Sequence, residues 1–448
     1  MIPGIPAPRR PARLSHLGLP GVIALLVLAA TIAADTASRP ADAARKVSDW
    51  VTSWSASPQD PMPGTLGMAG FHDQTVRDII FPSVGGNTIR LELTNAFGRS
   101  PLEVGRVTVA RAGPGAGAVA GNIHPVSFGG NVSVRIPVGE QVLSDPVGMQ
   151  VSALQELAVS IYLPGRTGRA TFHSQAQQVS WVSTAGDHTA EADADAFMIP
   201  TRSWYYLSGL DVRSSRAAGT LVAFGDSITD GVQSTVGGND RWPNDLARRL
   251  DTVAGPTLSV ADEGIGGNRV LTASRCCGAS AEARFARDAL EQPGIRDVIV
   301  LEGINDIGVS MGPRHSDAGL TPARVIAGYR DLIAQAHARG VRIFGATLLP
   351  FQGAGYYSSA GEAIREAVNA WIRTSGAFNG VIDFDAAMRD PADPLRLNPA
   401  YDSGDHLHPN DAGYQAMADA INLDMLLPRH ASARHTPQPP VENRLQSL

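Results

Sequence analysis

The architecture of this chain is set by residues 221–231, which read LVAFGDSITDG. The apolar run Leu221–Phe224 is typical of a buried strand, and the residues after it lead toward a helix. A serine at such a junction, here Ser227, presents its hydroxyl above the edge of a sheet. Its own N–H points into the same space, where a developing oxyanion could use it. Taken alone, however, a G-D-S tripeptide indicates only a turn.

The chain after Gly219 repeats this alternation of strand and helix. Apolar strands are predicted at Leu221–Phe224, Thr257–Val260, Val298–Leu301, Arg342–Ala346 and Val381–Phe384. Helices are predicted near Arg241–Thr252, Ala281–Leu290, Pro322–Arg339, Gly361–Thr374 and Asn410–Asp424. Strands that alternate with helices indicate βαβ units and a parallel sheet covered on both faces. We therefore expect an α/β domain over residues 216–428, with its functional side chains at the carboxyl ends of the strands.

The region before this domain is rich in strands. Polar and apolar residues alternate at Asn87–Thr94, Val107–Ala110, Val132–Ile136 and Leu157–Leu163, with glycine- and proline-rich turns between them. Short, evenly spaced strands of this kind predict a β-sandwich or jelly-roll-like domain over residues 48–210. At the other end of the chain, residues 429–448 are polar and proline-rich, and we expect them to be disordered.

The N-terminus has the pattern of an export signal. A basic region is formed by Arg9, Arg10 and Arg13. An apolar run, Leu17–Ala34, follows, and Ala41-Asp42-Ala43 fits a cleavage site, so residues 1–43 are predicted to be a signal peptide cut between about 34 and 44. An uncleaved membrane anchor is the alternative, although the run is barely long enough and Pro20 interrupts it. We expect a secreted or periplasmic protein with no stable membrane insertion after cleavage.

Composition excludes several classes of function. Without residues 1–43 the chain keeps 33 basic and 41 acidic residues, and this net charge of −8 makes nucleic acid an unexpected partner. Lys46 is the only lysine, so Schiff-base chemistry, a Walker-type phosphate loop and a Ser-Lys dyad have no amine to use. The sequence indicates no cofactor. Cys276 and Cys277 are too few for a disulfide framework or a zinc site, and are interpreted as free or loosely paired loop thiols.

Two further segments follow predicted strands. The first, Gly264–Arg269, reads GIGGNR, and its glycines permit close approach of the backbone. The second, Glu302–Ile307, reads EGINDI and places the side-chain amide of Asn305 at a strand end. An amide is a neutral donor that can hold an oxyanion without titrating. By itself, each segment is also compatible with an ordinary loop or turn.

A last segment, Asp405–Asn410, reads DHLHPN and supplies a carboxylate and an imidazole. Asp405 and His408 are three residues apart on one loop, so the carboxylate can orient an imidazole that takes the proton of Ser227. A metal site formed by Asp405, His406 and His408 is the alternative, and no other Cys or His cluster supports it.

In this order, the four segments resemble the blocks of the GDSL, or SGNH, hydrolase superfamily. The resemblance covers roughly Gly219 to Leu426 and implies a flavodoxin-like three-layer αβα fold. It also implies site residues: Ser227 as nucleophile, Asp405 orienting His408, and an oxyanion hole made by the N–H of Ser227, the N–H of Gly267 and the amide of Asn305. The WVTSW segment at residues 50–54 and the β-rich region are similar to secreted bacterial members with an added β-domain.

Other residues receive ordinary interpretations. Gly308–Gly312 matches the G-x-S-x-G elbow of another hydrolase class, but Ser310 is too far from the predicted strand, and we interpret this segment as a loop. Arg241, Arg269 and His315 are interpreted as surface groups.

The leading hypothesis is hydrolysis of carboxylic esters through an acyl-enzyme, with an acyl ester of an extracellular carbohydrate, a lipid or a small ester as the substrate. An acyltransferase that uses the same acyl-enzyme, and a non-catalytic glycan-binding protein on a hydrolase scaffold, are the alternatives.

Overall fold

The computed structural model describes residues 49–311 and 319–427. The predicted signal peptide at residues 1–43 and the tail at residues 429–448 lie outside the described residues, as does His315. The described chain is β-rich up to Arg213 and α/β from Ala217 onward. We refer to these two parts as the β-rich region and the α/β region.

The β-rich region is built from two antiparallel sheets. Its strands are β1 (Trp50–Ser55), β2 (Gln74–Ile80), β3 (Gly86–Thr94), β4 (Leu102–Val104), β5 (Arg106–Arg111), β6 (His124–Val126), β7 (Val134–Ile136), β8 (Gln141–Leu143), β9 (Val147–Val151), β10 (Leu157–Leu163), β11 (Phe172–His173), β12 (Ser180–Ala185), β13 (Ile199–Thr201), β14 (Trp204–Tyr205) and β15 (Leu207–Arg213), with the short helix α1 (Leu66–Ala69). One sheet has the order β1-β15-β3-β8, with β9 also on β3, and the other has the order β13-β12-β2-β10-β5-β6. Apolar residues of both sheets, such as Leu91 and Val159, share one core. The β-sandwich prediction is confirmed.

The α/β region carries a parallel sheet. Its strands are β16 (Ala217–Gly225), β17 (Thr257–Gly264), β18 (Ile295–Leu301), β19 (Arg342–Ala346) and β20 (Gly380–Ile382). Its helices are α2 (Ser227–Asp230), α3 (Trp242–Asp251), α4 (Ala281–Phe285) continued by a π-helical turn (Ala286–Leu290), α5 (Ile304–Met311), α6 (Pro322–Ala338), α7 (Ser359–Thr374), α8 (Phe384–Met388), α9 (Asp411–Ala420) and α10 (Leu423–Leu426).

The order of the parallel strands identifies the architecture. The order is β17-β16-β18-β19-β20, which is the 2-1-3-4-5 order of flavodoxin-like folds. One group of helices, α3, α8 and α9, packs together, and a second group consists of α4, α5, α6 and α7. Layers on both faces explain why Leu221–Phe224 is fully buried. The predicted three-layer fold class is confirmed.

Some predicted boundaries were wrong. Gly308–Met311 belongs to α5 and not to a loop. The ring of Tyr356 occupies the space that a side chain at position 308 would need, so the glycine is explained by packing within a helix and not by a turn. Phe384 starts α8 instead of ending a strand, because the Asp383 side chain accepts the N–H of Ala386 and caps a helix.

The two regions meet along strand β17, which lies at the edge of the parallel sheet. The Val260 N–H donates to Ser83 Oγ at 2.9 Å, and the Thr52 N–H donates to Thr220 Oγ1 at 3.0 Å. These four residues are buried, and the Ser83 hydroxyl satisfies an N–H that the edge strand β17 would otherwise leave to water.

Candidate active site

Ser227 stands at the junction of β16 and α2. The Asp226 side chain accepts the N–H of Ile228 at 3.0 Å and so begins the helix at the serine. This cap places Ser227 at the carboxyl end of the strand, where the residue is 6% exposed. Burial raises the pKa of Asp226 to about 7.

His408 and Asp405 come from the loop between α8 and α9 and meet Ser227 there. His408 Nε2 lies 2.9 Å from Ser227 Oγ, and His408 Nδ1 lies 2.6 Å from Asp405 Oδ2. The other carboxylate oxygen, Oδ1, accepts the N–H groups of Leu407 and His408 at 2.9 and 2.8 Å. Burial opposes the charge of Asp405, but the hydrogen bonds from His408 outweigh it and hold the pKa of this carboxyl well below its usual range. The three side chains therefore form one hydrogen-bonded chain.

Gly267 and Asn305 lie in the loops that follow β17 and β18. Within residues 49–311 and 319–427, neither the Ser227 N–H nor the Gly267 N–H has a protein acceptor. Gly267 has a φ of +75°, a conformation that favours glycine. The Asn305 amide donates one hydrogen to Asn268 O at 3.0 Å, and Tyr356 OH lies 3.3 Å from its Oδ1. The second amide hydrogen is left for a ligand.

Residues 223–416 match the sequence model of the GDSL-like Lipase/Acylhydrolase family. These residues are a GDSL-like lipase/acylhydrolase domain. The resemblance expected from the sequence is confirmed for this part of the chain. The GDSL-like domain includes all five predicted site residues, namely Ser227, Gly267, Asn305, Asp405 and His408.

Solved structures with similarity to the chain include a bacterial acetylxylan esterase and a bacterial GDSL-like lipase. An acetylxylan esterase from Geobacillus stearothermophilus is 21% identical, with a TM-score of 0.35, over 47% of this chain and 94% of that one. A GDSL-like lipase from Bacteroides thetaiotaomicron is 19% identical, with a TM-score of 0.35, over 47% of this chain and 88% of that one. None of the curated proteins compared with the chain matched it.

Two residues that support the loops of the GDSL-like domain were missed by the sequence analysis. Asp306 is buried and accepts the N–H groups of Val270 and Leu271 at 2.7 and 3.0 Å. Asn268 donates to the carbonyl oxygens of Cys277 and Ala279, both at 2.7 Å. Both residues stand beside a predicted oxyanion donor inside a segment that had already been singled out, and this adjacency was the available signal.

A buried arginine holds the ends of three strands of the GDSL-like domain together. Arg284, on α4, donates to Gly225 O and Glu263 O, each at 2.8 Å, and to Asn268 Oδ1 at 2.9 Å. Its guanidinium also lies 3.6 Å from the buried carboxylate of Glu302. Local sequence gives no signal for such a residue, because its acceptors come from separate segments that only the fold brings together.

The interpretation of Arg241 as a surface group and that of the two cysteines as loop thiols need correction. Arg241 is buried, because its guanidinium donates to Asp230 O at 3.0 Å and to Ala176 O. Cys276 and Cys277 are joined by a disulfide, so they are not free thiols. Cys277 Sγ packs against Gly267, and a Cβ atom at that glycine would lie 2.6 Å from the sulfur.

The competing residues do not converge on Ser227. Ser310 lies near the end of α5, not at a strand–helix junction. His406 pairs with Asp402, with Nδ1 2.6 Å from Oδ2, whereas His408 pairs with Asp405. In the described part of the chain, no group of three or more His, Cys, Asp or Glu side chains is arranged to hold a metal ion. Nor does any described helix have the length and apolar character needed to cross a bilayer.

Proposed function

We propose that this protein hydrolyses carboxylic esters through an acyl-enzyme formed on Ser227. The observation that carries the proposal is the hydrogen-bonded chain from Ser227 Oγ to His408 and on to Asp405, with distances of 2.9 and 2.6 Å. A serine hydroxyl is a weak nucleophile unless a base removes its proton, and this arrangement supplies an oriented base.

The first half of the reaction transfers the acyl group. His408 Nε2 takes the proton of Ser227 as Oγ bonds to the ester carbonyl carbon, giving a tetrahedral oxyanion. The carbonyl re-forms, the bond to the alcohol oxygen breaks, and His408 returns the proton to that oxygen. Asp405 remains a carboxylate, holding Nδ1–H and stabilising the imidazolium. Its lowered pKa supports this role.

The second half releases the acid. A water molecule gives a proton to His408 and attacks the acyl carbon, and the tetrahedral intermediate expels Ser227 Oγ, which takes the proton back. In both halves the oxyanion is held by the N–H of Ser227, the N–H of Gly267 and the Asn305 amide. These donors stabilise charge that develops only in the transition state.

The substrate class follows from the sequence pattern. The export signal and the β-rich region suit an acyl ester of an extracellular carbohydrate, and lipid or small esters fit the same chemistry. We also propose that residues 1–43 are removed on export. N-terminal sequencing of the protein recovered from the culture medium tests this: a protein that begins at Met1 would contradict it.

Mutation of the two serines tests the catalytic proposal. Ser227→Ala should lose turnover of a short-chain nitrophenyl ester on the order of 10⁶-fold, the scale seen when a triad loses its nucleophile. Ser310→Ala is the matched control and should keep most activity. Fluorophosphonate labelling followed by peptide mapping should find the label on Ser227. A folded Ser227→Ala protein with near-normal turnover, or a label on Ser310, would contradict the proposal.

A further inference from the structure

His173, in the β-rich region, is a buried histidine that no step of the proposed mechanism uses. It ends strand β11 and is 4% exposed. Its Nδ1 lies 3.0 Å from Ser57 O, and its Nε2 lies 3.0 Å from Asp230 Oδ1. Both partners are acceptors, so both ring nitrogens must carry a proton for the two contacts to be hydrogen bonds. The contacts therefore favour an imidazolium at this position.

The electrostatic environment of His173 also favours the imidazolium. Burial lowers the pKa of His173, but the charge and hydrogen bond of Asp230 outweigh this effect and raise the pKa above its ordinary value. The pair is a buried ion pair between the β-rich region and helix α2. Breaking such a pair leaves an uncompensated buried charge, which costs far more than losing an exposed pair.

Asp230 connects this histidine to the candidate oxyanion hole. It is the last residue of α2, the helix that begins at Ser227. Its second carboxylate oxygen, Oδ2, accepts the N–H of Gly266 at 3.0 Å. Gly266 immediately precedes Gly267, whose N–H is a proposed oxyanion donor. The Asp230 carboxylate thus connects His173 to the loop that positions the Gly267 N–H.

The residues after His173 hold the same loop from another side. A Cβ atom at Gly266 would lie 1.7 Å from Gln175 Oε1, so this glycine is in contact with the β-rich region. Arg241 donates to Asp230 O at 3.0 Å and also to Ala176 O. Residues 173–176 therefore contact Asp230 and Gly266 directly, and they also contact Asp230 through Arg241.

We propose that His173 is a positioning residue for the oxyanion hole: it holds Asp230, and Asp230 in turn fixes the Gly266–Gly267 segment. The inference rests on the proposed function of Ser227 and Gly267. It gives the β-rich region a part in catalysis, because the α/β region alone lacks the partner of Asp230. His173 itself touches no reacting atom.

The test compares His173→Ala and His173→Gln with a matched control, His188→Ala. His188 is also a histidine of the β-rich region between a carboxylate and a carbonyl: Nδ1 lies 2.8 Å from Glu191 Oε1, and Nε2 lies 3.1 Å from Ala185 O. It contacts no residue of the candidate site. A glutamine has similar length and can still donate to Asp230, so it should restore part of the function.

The measurements are kcat and KM for a short-chain nitrophenyl ester, with kcat expressed per Ser227 labelled by a fluorophosphonate. Displacement of a catalytic group by about 1 Å can cost on the order of 10²-fold. We expect kcat per labelled serine to fall by ~10–100-fold in His173→Ala with little change in KM, because the lost interaction acts on the transition state. His173→Gln should lie between this variant and the wild type, and His188→Ala should match the wild type.

The outcomes separate the two proposals. A normal kcat per labelled serine in a folded His173→Ala protein would overturn the positioning role. If the alanine variant does not fold, the role would be overturned by a His173→Gln protein in which the labelled fraction declines but kcat per labelled serine stays normal. An equal fall in kcat in His188→Ala would overturn it too, since the effect would not be specific to Asp230. A wild-type protein that neither hydrolyses the ester nor accepts the label at Ser227 would refute the proposed function itself.

Discussion

At the scale of single residues, the proposed oxyanion role gives the side-chain amide of Asn305 two partners. One of its hydrogens is engaged by Asn268 O, and only the other can reach an oxyanion. We predict that Asn305→Ala lowers kcat by ~10²–10³-fold, the usual cost of losing one such donor. Steady-state kinetics on a nitrophenyl ester measure the loss, while a serine-directed phosphonate should still label Ser227. An unchanged kcat would remove Asn305 from the hole.

The two histidines of the DHLHPN segment should behave differently toward pH. Because Asp405 has a pKa held well below its usual range, it stays charged when activity falls on the acid side. Protonation of Asp405 is therefore not expected to cause that fall. We predict that His408→Ala abolishes most activity and that His406→Ala keeps both the activity and the acid limb of kcat/KM.

Asp226 provides the control for this pH profile. Burial raises the pKa of Asp226 to about 7, and this residue directly precedes Ser227, the proposed nucleophile. Asn can still accept the N–H of Ile228 and cap α2, so Asp226→Asn removes only the titration. The acid limb should persist in this variant. Its disappearance would assign the limb to Asp226.

At the scale of elements, the loop after β17 depends on a glycine for two reasons. Gly267 has a φ of +75°, and a Cβ atom there would lie 2.6 Å from Cys277 Sγ. A strained backbone of this kind costs ~1–3 kcal/mol for other residues. We predict that Gly267→Ala lowers both the free energy of unfolding and kcat.

A glycine elsewhere separates these two effects. Gly340 has a similar φ of +68°, but a Cβ atom there would meet nothing within 4 Å. Gly340→Ala should lose stability by ~1 kcal/mol while keeping kcat, because only the backbone conformation is penalised. Denaturant titration and steady-state kinetics on both variants make the comparison. Equal kcat in the two variants would contradict a role for the Gly267 loop.

The helices and strands differ in how well the sequence could predict them. Strand–helix alternation after Gly219 was sufficient for the parallel sheet, since buried strands and amphipathic helices leave a periodic pattern. Helix α5 was missed because Gly308 and a neighbouring Gly312 resemble a turn, whereas Tyr356, distant in sequence, makes the glycine a packing position. His173 and Arg284 carry no motif, and their partners, Asp230 and Gly225, are supplied by the tertiary fold.

At the scale of the whole molecule, buried ionisable groups should make stability depend on pH. Asp226 keeps its proton in the folded protein up to a pKa of about 7, whereas an unfolded chain releases it near ~3.9. The folded state binds more protons over this window, so stability falls as pH rises through it. His173 acts in the same direction, because its raised pKa gives stability that is lost at high pH.

We therefore predict that the free energy of unfolding decreases between about pH 5 and about pH 8. Asp405 does not oppose this trend, because its lowered pKa adds stability only as pH rises through the acid range below that window. Asp226→Asn should flatten the decrease, because its share of the proton linkage is gone. Urea titrations at several pH values measure both slopes. Stability that rises across this window in the wild type would contradict the prediction.

The pairing of β1 with β15 constrains the order in which the molecule can assemble. Val51 pairs with Val212, so the first strand of the described chain to leave the ribosome has no partner until nearly the whole β-rich region has followed. Contacts so distant in sequence form slowly, because the intervening chain must first be ordered. Strand β16, which leads directly to Ser227, begins soon afterward, at Ala217. The half of the molecule that holds Ser227 therefore emerges beside a sandwich that can already be closed, and it can fold against that finished surface.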